Sequence, residues 1–253
     1  MIGVYKEVIK DIPVLIVSKV DKFDEKLPTL IYYHGFRSGK ENNLTIGYLL
    51  AEKGYRIILP ECIHHGERQG SISDYERDLA FWEIVIHTVS EINEIKGYLD
   101  KKQLILDNRI GIAGTSMGGM ITAAALTTYP WIKVGGLLMS SAKLESYAEQ
   151  LISHFNKVNE DRISDDQKEQ VKEELKQYDL FEHIDKLNDR PLLIWHGKQD
   201  DIVPFSHAED LYNKIEKSSH AADRIHFVPE ENRGHHLSRL AIDETIRYFS
   251  RYL

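Results

Sequence analysis

The segment Gly114-Thr115-Ser116-Met117-Gly118 constrains this chain more tightly than any other. Two glycines stand at a spacing of two on either side of a serine, and the flanking residues differ in character. Before them, Ile110 to Ala113 is a short apolar run introduced by the turn pair Asp107-Asn108, which reads as a strand buried on both faces. After them, Gly119 and the Ala-rich run Ile121 to Leu126 read as a helix. A serine strained between strand and helix leaves no room for side chains two residues away, which accounts for the glycines. Ser116 then stands at a helix N-terminus, where backbone N–H groups favour negative charge. The same pattern also opens Gly-rich helices that carry no chemistry, so the rest of the chain has to decide.

Apolar runs recur along the chain and alternate with helical periodicity. Tyr5 to Lys10 and Pro13 to Val20 read as an antiparallel hairpin, and Leu30 to Tyr33 as a buried strand ending in His34-Gly35-Phe36. Gly35 lets the backbone turn, so that the Phe36 N–H points into the space above the sheet as a donor to an oxyanion. Glu41 to Lys53 is a helix closed by Gly54, Tyr55 to Leu59 a strand, and Asp74 to Leu99 one long helix with Leu79, Trp82, Ile86, Val89 and Ile92 on its inner stripe. Val134 to Met139, Pro191 to Trp195 and Arg224 to Val228 continue the strands, with helices at Phe205 to Lys217 and Leu237 to Tyr252. Strands apolar throughout and separated by helices predict an α/β fold: a mostly parallel central sheet of about eight strands, flanked by helices.

Between Lys143 and Arg190 the alternation pauses for longer than a strand-to-strand connection needs. Tyr147, Leu151, Phe155 and Val158 form one apolar stripe, and Val171, Leu175 and Tyr178 another. Residues 141–190 are therefore expected to insert a helical cap into a core made of 1–140 and 191–253, with Tyr147, Leu151 and Phe155 facing a substrate.

Three strand ends deliver chemistry in chain order: Ser116, then an acid in His196-Gly-Lys-Gln-Asp200-Asp201, then a histidine in Gly234-His235-His236. A serine, an acid and an imidazole at one sheet edge are what nucleophilic acyl transfer requires. Pro60 to Arg68 is the most metal-like stretch, with Glu61, Cys62, His64, His65 and Glu67. Neighbours on one loop rarely aim at one point, and no second ligand group stands at a familiar spacing, so a packed loop is expected there and no metal. His34 reads as a structural residue bonding loop backbone. Cys62 lacks an elbow or helix N-terminus to lower its pKa, which argues against a thiol nucleophile.

The net charge of −8 and a pI near 5.8 argue against nucleic-acid or anionic-membrane partners. No apolar stretch approaches the roughly eighteen residues of a membrane span, and charges occupy the start where a signal peptide needs apolar residues. A single cysteine, Cys62, suits a reducing compartment, so a cytoplasmic location is expected.

These segments together resemble the α/β-hydrolase superfamily over essentially the whole chain. The resemblance is greatest to the branch of dienelactone-hydrolase-like esterases and the catalytic domain of prolyl-oligopeptidase-type serine peptidases. His34-Gly35-Phe36, Gly114-Thr-Ser-Met-Gly-Gly119, His196-Gly-Lys-Gln-Asp200 and Gly234-His235 carry it. In that branch the acid follows the His-Gly glycine by three residues, implying Asp200 rather than Asp201, and the base directly follows a glycine, implying His235. Dienelactone hydrolases use a cysteine where this chain has Ser116, so a small serine esterase is what the similarity implies. His235 is then the base, Asp200 its orienting partner, and the Phe36 and Met117 N–H groups the oxyanion donors. No cofactor is required, and the partner is a small ester. A metal-dependent hydrolase, an aminopeptidase or acyl-peptide hydrolase, and a binding module without catalysis are the competing readings.

Overall fold

The computed structural model describes residues 1–158, 163–218 and 222–253. Eight strands form one sheet: β1 (Ile2–Ile9), β2 (Ile12–Lys19), β3 (Leu27–Tyr33), β4 (Arg56–Pro60), β5 (Ile105–Thr115), β6 (Val134–Leu138), β7 (Leu192–Gly197) and β8 (Ile225–Glu230). Their spatial order is β1-β2-β4-β3-β5-β6-β7-β8. β1 and β2 form the expected antiparallel hairpin, β2 pairs antiparallel with β4, and every other pairing is parallel.

The pleat explains why the strands are apolar throughout. Successive side chains point to opposite faces, and both faces are covered. Ile31, Tyr33, Ile58, Ile112, Leu137 and Ile194 pack on one side with α3 (Phe81–Lys101), α4 (Met117–Thr128) and α7 (Phe205–Ser218). Their strand neighbours Leu30, Tyr32, Leu59, Ala113, Leu138 and Trp195 pack on the other side with α1 (Leu44–Glu52) and α8 (Arg239–Tyr252). Edge strand β1 is only partly covered: Ile2, Tyr5 and Ile9 pack on the core, while Val4, Lys6, Glu7 and Val8 are exposed, and the charges of Lys6 and Glu7 suit an unpaired edge. This is the α/β-hydrolase architecture. Among the described residues no helix is long and apolar enough to cross a membrane.

Three local expectations are corrected. The helix expected from Asp74 to Leu99 is two helices, α2 (Asp74–Leu79) and α3, that meet at Ala80 with ψ near 5°. A capping box of Ser73 and Glu76 starts α2, and the break turns Leu79 outward, 45% exposed, off the core stripe. Asp107 and Asn108 do not precede a strand. They lie inside β5 with φ of 47° and 56°, where its register against β3 shifts, so the pair makes an irregularity within a longer strand. The expected start of α1 at Glu41 is instead a 3₁₀ turn, Lys40–Asn43, with Lys40 buried.

The segment 141–190, expected as an insertion, contains α5 (Leu144–Val158) and α6 (Asp165–Leu175). Asp179 ties its two ends together by accepting from the Glu145 and Glu182 N–H groups at 3.0 Å each. Its exit is pinned by the buried Arg190. That guanidinium donates to the carbonyls of Leu126, Tyr129 and Ile132 beyond α4, and to those of Lys186 and Leu187. The orphan carbonyls of a helix C-terminus are thereby satisfied by a cation.

Candidate active site

Ser116 sits between β5 and α4 with φ 56° and ψ −117°, a conformation that costs a non-glycine residue about 1–3 kcal/mol. Its backbone is held from several sides. The Ser116 N–H donates to the Leu138 carbonyl at 2.9 Å, and the Ser116 carbonyl accepts from Gly119 N–H, Met120 N–H and Ser140 Oγ at 2.8–3.1 Å. The flanking glycines are required by crowding. A Cβ on Gly114 would lie 2.3 Å from Gly118 backbone, and one on Gly118 would lie 2.2 Å from the Tyr33 carbonyl oxygen.

The loops after β7 and β8 bring Asp200 and His235 to the same edge. His235 Nε2 lies 2.9 Å from Ser116 Oγ, and its Nδ1 lies 2.7 Å from Asp200 Oδ2. Asp200 Oδ1 accepts from the Ile202 and Val203 N–H groups at 3.0 and 2.9 Å. Its Oδ2 also meets Nε2 of the fully buried His196 at 3.1 Å, and that nitrogen contacts the Val203 carbonyl at 2.9 Å. Burial alone pushes the Asp200 carboxyl up, but the hydrogen bonds from His196, His235 and Val203 outweigh it and hold the group well below the usual carboxylate range. A hydroxyl bonded to an imidazole that is fixed by an ionised carboxylate can lose its proton as it attacks a carbonyl carbon.

The turn after β3 also reaches Ser116: a Cβ on Gly35 would lie 3.5 Å from Ser116 Cβ. Phe36 N–H and Met117 N–H have no protein acceptor among the described residues. Gly35 does not make the turn by a left-handed φ; Arg37 does, with φ 58°. Arg37 N–H donates at 3.0 Å to Nε2 of His65, whose Nδ1 proton goes to the Ile63 carbonyl at 2.8 Å. Burial lowers the His65 pKa to about 4, consistent with a neutral acceptor. His34 is structural too: its Nδ1 donates to the Gly35 carbonyl at 2.8 Å, and its Nε2 lies 3.1 Å from the Cys62 nitrogen and 3.3 Å from Glu61 Oε1. Cys62 is wholly buried. The acids of this region do converge, contrary to the sequence expectation, but on the buried ammonium of Lys40. Its Nζ lies 2.6, 2.5 and 3.0 Å from the carboxylates of Glu61, Glu67 and Glu41.

A cavity of about 1010 Å³ opens beside Ser116. Tyr147, Leu151 and Phe155 all line it, together with Phe36, Phe81, Trp82 and Ile86. Val158 lines it too while remaining 64% exposed. Burial and the charge of Asp200 push the Tyr147 hydroxyl up to about 12, so it stays protonated. Three contributors were not identified from sequence: His196, Lys40 and the α3 wall. His196 carried a usable signal, since a histidine inside a buried strand must find a polar partner and an acid stands four residues on.

A sequence profile of the prolyl oligopeptidase family matches residues 86–252, which include Ser116, Asp200 and His235. Over the full length of both chains the protein is 40% identical to YitV of Bacillus subtilis (strain 168), whose name proposes an esterase. It is 28% identical, again over both full lengths, to the esterase YjfP of Escherichia coli (strain K12). The crystal structure of TT1662 from Thermus thermophilus superposes with a TM-score of 0.78 at 18% identity, covering 99% of this chain and 98% of that one. That last likeness carries the fold alone. The profile spans well over half of the chain, so the protein belongs to the prolyl oligopeptidase family and is a serine hydrolase.

Proposed function

We propose that the protein is a serine carboxylesterase that hydrolyses small to medium acyl esters through Ser116, His235 and Asp200. The observation that carries this reading is the unbroken relay from Ser116 Oγ to His235 at 2.9 Å and from His235 to Asp200 at 2.7 Å. His235 Nε2 takes the hydroxyl proton as Ser116 Oγ attacks the ester carbonyl carbon, and Asp200 stabilises the imidazolium. The carbonyl oxygen gains negative charge and is met by the free N–H groups of Phe36 and Met117, each contributing about 2.7–4 kcal/mol. The imidazolium then protonates the departing alkoxide, leaving an acyl-Ser116 ester. Water attacks that ester with His235 as base, releasing the acid and restoring the serine.

YitV and YjfP, by their names, favour ester over amide substrates. The test is turnover of aryl esters combined with labelling by a serine-directed phosphonate, in the native protein and in Ser116→Ala. Rapid hydrolysis and stoichiometric labelling that vanish in the variant are expected. Retained turnover in a folded Ser116→Ala protein refutes the assignment. The family match also supports an aminopeptidase or acyl-peptide hydrolase. A paired aryl ester and aryl amide assay separates the two, since an esterase leaves the amide intact.

A further inference from the structure

The cavity beside Ser116 has a direction, and the direction identifies what enters it. Near the serine it is ringed by aromatic side chains: Tyr147 stands edge-on to Trp82 at 6.2 Å and lies 6.5 Å from Phe81. From this ring cluster one wall follows α3 from Phe81 past Ile86 to Ser90, and the other follows α5 from Tyr147 past Leu151 to Phe155. At about 1.5 Å per helical residue these walls run about 12–14 Å. With carbon–carbon bonds of about 1.5 Å at tetrahedral angles, an extended chain advances about 1.25 Å per bond, so about ten to twelve carbons span that length.

The lining is mostly apolar. Leu79, Val158 and Ile202, 45%, 64% and 58% exposed, belong to it and leave hydrocarbon in water at its borders. Its one arginine, Arg37, is already committed to Asp78 through two bonds of 2.7 and 2.8 Å, Glu83 and Glu174 are acidic, and its imidazoles are His87, already 3.0 Å from Glu91, and His154. Among the described lining residues an anionic end group finds no uncommitted permanent cation. His235, which must hand its proton to the leaving alcohol, does not line the cavity and is partly open to solvent. The alcohol therefore departs on the open side, and the acyl part points down the groove.

We propose that this groove is an acyl-chain subsite for straight, uncharged acyl groups of about eight to twelve carbons, a length set by the two helical walls. The proposal rests on the esterase reading above and narrows its substrate. The experiment is a series of aryl esters from acetyl to hexadecanoyl, each below its micellar concentration, with phosphonate labelling of Ser116 run in parallel. The specificity constant is expected to rise by up to about fourfold per added methylene, peak between octanoyl and dodecanoyl, and then fall. A peak at acetyl or butanoyl overturns the subsite.

Ile86→Trp, which fills the α3 side, should lower the decanoyl to butanoyl ratio by about tenfold or more, and Leu151→Trp tests the opposite wall if that variant does not fold. An unchanged ratio in a folded variant overturns the proposal. Half-esters of dicarboxylic acids of matching length should be at least about tenfold poorer substrates, and equal turnover removes the requirement for an uncharged chain. Moving the chain to the alcohol side should gain less than about threefold; an equal gain contradicts the acyl placement. Loss of labelling and of all ester turnover removes the esterase reading itself. Labelling with a short-chain profile removes the subsite alone.

Discussion

Gly118 tests whether the serine is held by crowding between strand and helix. Replacing it with alanine places a Cβ 2.2 Å from the Tyr33 carbonyl oxygen, 2.6 Å from the Tyr33 carbonyl carbon and 2.8 Å from the His34 carbonyl oxygen. All three are backbone atoms at the end of β3, which lies between β4 and β5 and cannot retreat cheaply. Relief requires α4 to move by about 1 Å, a displacement of the order that costs about 100-fold in rate. Overpacking of this kind costs about 1–3 kcal/mol, and a loss of about 2 kcal/mol lowers the melting temperature of a chain this size by about 4–8 °C. Gly97→Ala is the matched control. That glycine lies in α3, exposed, with nothing within 4 Å of a built Cβ, so the change should stabilise by about 0.8–1 kcal/mol. Thermal unfolding followed by circular dichroism, with aryl ester turnover on the same samples, reads both effects. A Gly118→Ala protein with native melting temperature and native turnover would refute the reasoning, because the elbow would then tolerate the volume it is argued to exclude.

Asp200→Asn should lower kcat for ester hydrolysis by about 10³–10⁴-fold, by allowing the wrong His235 tautomer, and a drop below about tenfold argues that another group orients the imidazole. Burial pushes the Glu61 carboxyl up, but hydrogen bonds and charge from His34 and the Lys40 ammonium outweigh this, and the pKa falls from 4.5 to about 2. Because the folded value lies below the unfolded one, ionised Glu61 stabilises the fold above about pH 4.5, and this contribution is lost as pH falls toward 2. Denaturant unfolding between pH 7 and 3 should therefore show Glu61→Gln with a flatter acid limb, the difference reaching about 2 kcal/mol over that range; equally steep curves would be inconsistent with the pairing. Arg190→Met strands the carbonyls of Leu126, Tyr129 and Ile132 and should cost about 3 kcal/mol in urea unfolding, with a loss under about 1 kcal/mol as the contrary result.

Strand runs and the elbow were legible because their signals are local. A strand covered on both faces must be apolar at consecutive positions, as Leu30 to Tyr33 and Leu192 to Trp195 are. The chain order of Ser116, Asp200 and His235 was legible too, since each lies within a few residues of the end of such a run. The break at Ala80 was not, because the periodicity of α2 continues into α3 and only a ψ near 5° separates them. Nor was the bulge at Asp107 and Asn108, where a pair that ordinarily marks a turn is absorbed into the sheet.

By itself the chain determined that a parallel sheet would form and that Ser116, an acid at 200 or 201 and a histidine at 235 or 236 would follow its strands, since hydrophobic periodicity and strand ends act over a few residues; the family resemblance singled out Asp200 and His235. Tertiary structure alone decided that Lys40 gathers three carboxylates and that α3 faces α5 across a groove. The side chains of Lys40 and Glu61 are twenty-one positions apart and the two walls of the groove more than fifty, and no local pattern records which surfaces meet once the sheet has closed over its core.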